Sequence, residues 1–148
     1  MPYSDLRKGR VSQSGLVYHV TTVTRERRPY FATLANGRKL VRELMLLQRE
    51  GKVETLCYTV MPDHLHWLMI LHKGELSEAV RLLKGRTAHA IGAAIWQSNY
   101  FDHAVRAEED LQEIARYIVA NPLRAGLVER IADYSLWDAV WLDETLSG

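Results

Sequence analysis

His64 and His66 stand one residue apart in the run Met61-Pro62-Asp63-His64-Leu65-His66-Trp67-Leu68-Met69-Ile70-Leu71. In a strand, side chains at i and i+2 leave the same face, so both imidazoles project together while Leu65 and Trp67 point the other way. Two neighbouring imidazoles suit a divalent metal ion, with further positions filled by other side chains, substrate or water. An H-x-H pair alone also fits two ordinary polar residues of a half-buried strand, and a motif of this length needs context. Tyr117 and Asn121 supply it. Four residues apart on a helix, they lie on one side, flanking the Leu111/Ile114/Ile118 stripe. Packed by that stripe on the sheet, the helix would aim a phenol and an amide toward the histidines. The spacing equally fits a rim tyrosine and an Asn121-Pro122 helix stop.

The elements that must position these residues follow from hydrophobic periodicity. Leu16 to Val23, rich in Val, Tyr and Thr, reads as a first strand, broken by Arg25-Glu26-Arg27-Arg28-Pro29. Leu40, Val41, Leu44 and Leu47 share a helix face that Gly51 ends. Val53 to Val60 is a second strand and His64 to Leu71 a third, punctuated by Met61-Pro62-Asp63. A long helix carries Leu76, Ala79, Val80, Leu83, Thr87, Ile91 and Ala94 on one face, with Gly85 interrupting it. Tyr100 to Arg106 reads as a short fourth strand. Glu108, Glu109 and Asp110 place acid at the start of a helix that stops at Pro122. Trp137 and Trp141 are expected to fold the tail back onto the domain. The order β-α-β-β-α-β followed by a helix predicts an α+β, ferredoxin-like antiparallel sheet with an added C-terminal helix. That fold hosts many functions and decides none by itself.

With 148 residues, 47% hydrophobic and 25% charged, the chain is expected to form one domain over 1–148, neither disordered nor of low complexity. A single cysteine, Cys57, excludes an internal disulfide framework and suits a reducing cytosol. Met1 to Arg10 lacks an apolar signal core and no stretch is long enough to span a bilayer, so the expected location is the cytoplasm, away from membranes. Charge is unevenly spread. Residues 1–60 carry eleven Lys/Arg against five Asp/Glu, a net of +6, whereas residues 107–148 carry three against nine, a net of −6. Such asymmetry marks either a polyanion-binding surface or two solvated faces.

Residues 61–72 resemble the HUH motif (His, bulky apolar, His) of the tyrosine HUH transposases. The run Arg116-Tyr117-Ile118-Val119-Ala120-Asn121-Pro122-Leu123-Arg124-Ala125-Gly126-Leu127-Val128 is similar to the catalytic-tyrosine helix of their relatives, the REP-associated tyrosine transposases. The likeness extends to Leu6-Arg7-Lys8-Gly9-Arg10, Tyr18-His19-Val20-Thr21-Thr22, Trp96-Gln97, Asp102-His103-Ala104, Glu108-Glu109-Asp110-Leu111 and Trp137-Asp138-Ala139-Val140-Trp141, and so covers most of the chain. It implies His64 and His66 as metal ligands, Tyr117 as nucleophile, and Asn121 as the amide that completes the metal site. As a neutral oxygen ligand, Asn121 would hold the ion less tightly than a carboxylate. The pattern departs at Phe101, where many relatives carry His, leaving His103 as the polar candidate on that strand.

The implied activity is cleavage and rejoining of single-stranded DNA beside repetitive extragenic palindrome hairpins, with Mg²⁺ or Mn²⁺ and a 5′-phosphotyrosine intermediate, by a monomer or homodimer. Lys8, Arg10, Arg25, Arg27 and Arg28 are candidates for phosphate contact. Arg81, Lys84 and Arg86 would extend the track, with Trp96 or Tyr100 stacking an unpaired base. A solvated face for the arginines and core packing for Trp96 are the plainer alternatives. Competing functions are a non-catalytic nucleic-acid-binding module, a metal-dependent phosphodiesterase using water with Asp63 or Asp102 as base, and an interaction protein with a decayed site.

Overall fold

The alternation around the two histidines becomes a strand over His64–Leu71, the predicted span. The computed structural model describes residues 15–106 and 109–139. Among them the elements run β1 (Val17–Val23), α1 (Leu34–Arg49), β2 (Val53–Met61), β3 (His64–Leu71), α2 (Leu76–Ile91), β4 (Phe101–Ala104), α3 (Leu111–Val119), α4 (Asn121–Arg124) and β5 (Trp137–Ala139). The strands form one antiparallel sheet in the order β4-β1-β3-β2-β5. The first four strands have the ferredoxin-like arrangement. The fifth, beside β2, was expected only as a tail returning to the domain.

Each sheet face has its own cover. Leu65, Trp67, Met69 and Leu71 of β3 are fully buried in one core with Leu40, Leu44 and Leu47 of α1 and Leu76, Val80 and Leu83 of α2. Burial of each such side chain stabilises by about 1.5–3 kcal/mol relative to exposure. On the opposite face, Leu68 and Ile70 pack with Ala115, Ile118 and Val119 of α3 and with Ala139 of β5. His64 and His66 share that second face, so α3 lies on the histidine side of the sheet. Asp110 starts α3 by accepting hydrogen bonds from the backbone N–H groups of Gln112 and Glu113, a cap no periodicity argument needs.

A bulge sets which residues meet the histidines. The pairing of β2 with β3 shifts between Thr55 and Cys57, so that Cys57, Thr59 and Met61 oppose Leu68, His66 and His64. In an unbulged strand Val53 and Thr55 would share a face with Cys57 and Thr59; the bulge at Leu56 puts the two pairs on opposite faces. One row on the α3 face therefore reads Phe101, Thr21, His66, Thr59, Trp137 across all five strands.

Several boundaries differ from expectation. α2 ends at Ile91, short of Ala94, because Gly92 adopts a left-handed φ of 87° and returns its N–H to the Ala88 carbonyl. Gly85 stays within the helix without interrupting it. β4 spans only Phe101–Ala104 of the predicted Tyr100 to Arg106. The last helix stops at Val119 rather than at Pro122, and Asn121-Pro122 opens α4 instead. Among the described residues no helix is long and apolar enough to cross a membrane.

Candidate active site

Both histidines are oriented through Nδ1. His64 Nδ1 lies 2.7 Å from Asp63 Oδ1, and Asp63 in turn accepts from Arg27 at 3.2 Å. Arg27 reaches it from a turn in which Glu26 and Arg27 hold positive φ values of 55° and 52°, a conformation unusual for residues with a side chain. His66 Nδ1 lies 3.1 Å from His19 Nε2 and 3.2 Å from Thr21 Oγ1. The tautomer that carries its proton on Nδ1 leaves a lone pair on Nε2, and at His64 the Asp63 carboxylate favours it. The two rings meet edge to face with centroids 5.0 Å apart.

Burial, then the charges of His64, His19 and Arg124, lower the pKa of His66 from 6.5 to about 3. Burial and His103 lower that of His19 to about 4. His66 and His19 are therefore neutral at pH 7, and a neutral ring is what ligation by His66 requires. Between these values and 6.5 the unfolded chain binds more protons than the folded one, so folded stability is lost as pH falls. The denaturation midpoint of the metal-free protein should therefore drop between pH 7 and pH 4, and drop less in a His19→Gln/His66→Gln variant. Equal pH profiles for the two proteins in urea titrations would contradict the buried neutral pair.

Asp63 is a poor base. Burial alone would raise its pKa, but the hydrogen bonds and charges of His64 and Arg27 prevail and hold it below the usual range. Asp102, paired with Val20, falls on the α1/α2 face, away from the imidazoles. Cys57 is inert: burial, with Asp138 nearby, pushes its thiol up to about 12.

The helix side of the site depends on Pro122. Lacking an N–H, Pro122 cannot bond the Ile118 carbonyl four residues back. The buried Thr59 hydroxyl donates to that carbonyl instead, at 2.9 Å, which ties the end of α3 to the strand beside His66. Tyr117, adjacent to Ile118, is 55% exposed, and its ring stands edge to face with His66 at 6.4 Å between centroids. The Arg124 guanidinium lies 3.9 Å from the centroid of the same ring. Asn121 begins α4, and its buried amide nitrogen finds no hydrogen-bond partner among the described residues. Among those residues no group of three or more His, Cys, Asp or Glu is gathered for a metal. An amide oxygen is a chemically suitable third ligand to an ion on His64 and His66. Asn121 fits that role, since its unpartnered end presents oxygen after a flip of the amide.

The predicted DNA-contact residues are not gathered into one track. Lys8 and Arg10 lie outside the described residues. Arg25, Arg27 and Arg28 are exposed near Asp63, with Arg27 paired to Asp63 and Arg28 to Glu26. Arg81, Lys84 and Arg86 belong to α2, on the other sheet face. There Arg86 pairs with Glu50, and Lys84 donates to the Gln97 carbonyl at 2.7 Å. Trp96 packs against Phe31 at 5.4 Å and donates to the Lys84 carbonyl, in keeping with the packing alternative. His103 bonds Glu109 at 2.9 Å and sits in the next row, opposite His19. Phe101 is 65% exposed in the row of His66. Sequence reasoning missed His19, Thr21 and Arg124. The i, i+2 spacing of His19 and Thr21 is a usable signal, but the register that brings them to His66 is not written in it.

A ferredoxin-like sheet with two imidazoles on one face, and a tyrosine presented by a helix packed on that face, places the molecule in the class of the tyrosine transposases. The chain belongs to the IS200-like transposase family, whose sequence profile matches residues 12–121. It is 28% identical over 123 residues to the REP-associated tyrosine transposase of Escherichia coli K12, covering 81% of this chain and 74% of that one. The structure of a REP-associated tyrosine transposase bound to a REP hairpin superposes with a TM-score of 0.75 at 27% identity, over 84% of this chain and 77% of the other. A candidate transposase from Deinococcus radiodurans R1 shares the fold, with a TM-score of 0.55 at 22% identity over 74% and 93% of the two chains.

Proposed function

We propose that this transposase cuts and rejoins single-stranded DNA beside hairpins of repetitive extragenic palindromes, with Tyr117 as the nucleophile. The observation that carries this reading is the exposed Tyr117 ring held 6.4 Å from the ring of His66 by a helix anchored to the histidine strand's neighbour. The hairpin-bound relative supports the substrate class. His64 and His66, with Asn121 as third ligand, would hold Mg²⁺ or Mn²⁺, which would neutralise phosphate charge as a Lewis acid.

Attack of the phenol oxygen on phosphorus forms a tyrosine–phosphate bond and breaks the bond from phosphorus to the 3′-oxygen. The phenol gives up its proton and the departing 3′-oxygen takes one, leaving a 5′-phosphotyrosine and a free 3′-hydroxyl. The phosphodiester's energy stays in the linkage, so another 3′-hydroxyl can reverse the step and join strands. A water-using phosphodiesterase is disfavoured because Asp63 is held below its usual pKa and Asp102 lies on the other face.

The test is incubation with hairpin-bearing single-stranded DNA and Mn²⁺. A covalent protein–DNA adduct should form. Hairpin DNA should bind more tightly than perfect duplex, with affinity falling steeply as salt rises, given the net +6 of residues 1–60. Absence of adduct, together with equal affinity for duplex and hairpin across the salt titration, would leave only a non-specific basic surface.

A further inference from the structure

Arg124 follows Tyr117 by seven residues, two helical turns, and its guanidinium lies 3.9 Å from the centre of the Tyr117 ring. It is exposed, and among the described residues no carboxylate pairs with it. Nearby cations are engaged differently: Arg27 is paired with Asp63 and Arg28 with Glu26. Among the described residues, a planar cation without a carboxylate partner thus stacks on the phenol of the site. Stacking of a guanidinium on an aromatic face is favourable by itself, and it leaves the N–H fork free for another partner.

We infer that Arg124 is a catalytic residue: its N–H groups hold a non-bridging oxygen of the scissile phosphate while Tyr117, fixed by the stacked guanidinium, attacks phosphorus. This rests on the reading of Tyr117 as nucleophile. A fork of N–H donors matches phosphate oxygens in pairs, which a lysine ammonium does not. The transferring phosphoryl group spreads charge over its equatorial oxygens, so a donor already in place stabilises the transition state. No bond is made or broken by Arg124 itself.

The experiment uses the full chain with Arg124→Gln, Arg124→Lys and Tyr117→Phe variants. Two DNAs are compared: a hairpin with its single-stranded flank through the scissile phosphate, and the same hairpin ending before it. Arg124→Gln should cut about 100-fold more slowly. Its binding to the longer DNA should lose about one unit of slope in log affinity against log salt, with no change on the shorter DNA. Arg124→Lys, which keeps the charge but not the fork, should restore most of the slope and part of the rate. Unchanged slope on the longer DNA, whether the rate holds or falls, would overturn the phosphate contact, because a purely packing role has no phosphate partner. Adduct formation by Tyr117→Phe would overturn the nucleophile reading, whatever the slopes show.

Discussion

Tyr117→Phe should fold and bind hairpin DNA like the unaltered protein, yet form no covalent adduct and cut no strand. The ring stays, so the edge-to-face contact with His66 and the stack under Arg124 survive. Only the oxygen goes, from a residue that is 55% exposed, and a surface change of this kind alters stability by about 0.5 kcal/mol or less. Loss of a nucleophile costs on the order of 10⁴–10⁶ in rate. Denaturing gels that trap protein–DNA adducts, with a denaturant titration as control, read both quantities. A hydrolase using water would keep much of its activity, since water rather than the phenol attacks phosphorus. Strand cleavage near the original rate would end the tyrosine mechanism.

The second large effect is expected at the histidines. His64→Ala and His66→Ala should each weaken Mn²⁺ binding by at least about 100-fold, by comparison with the 10–100-fold that outer partners alone contribute. Cleavage should be lost in parallel. The stability costs differ. His64 contacts Asp63, which keeps Arg27 as a partner, so its loss should be cheap. His66 is bonded to His19 and Thr21, and its removal leaves polar atoms in a partly buried place, at about 1–2 kcal/mol. Mn²⁺ titration calorimetry beside urea unfolding separates these outcomes. Undiminished metal binding and cleavage in both variants would remove the pair from the site.

What could be read beforehand divides along physical lines. β3 was legible to the residue because one face of the strand is apolar and the turn at Met61-Pro62-Asp63 is chemically marked. The four-strand core and α3 followed from period and order. β5 did not, since three residues in a Trp- and Asp-bearing tail carry too little alternation to declare a strand, and only pairing with Cys57 and Thr59 makes them one. The bulge at Leu56 was equally hidden, because seven consecutive buried residues from Thr55 to Met61 show no period from which to count. At the site, His64, His66 and Tyr117 announced themselves by type and spacing. His19 and Thr21 needed the strand register, and Arg124 needed the helical course to resume past Pro122 in α4, which sets residues seven apart on one side.

That break carries a consequence for how such chains drift. The Ile118 carbonyl receives from the Thr59 hydroxyl what Pro122 cannot give, so two positions 63 apart in sequence share one obligation. The order of change then matters. Replacing Pro122 first restores an N–H in the helix, and a carbonyl oxygen accepts two donors, so Thr59 is released from its duty. Replacing Thr59 first strips a buried acceptor, at about 1–3 kcal/mol, and does so one residue from Tyr117. Descendants that lack the strand hydroxyl should therefore be those whose ancestors had already lost the proline. The two positions should then covary through a one-way door, with no contact between their side chains required.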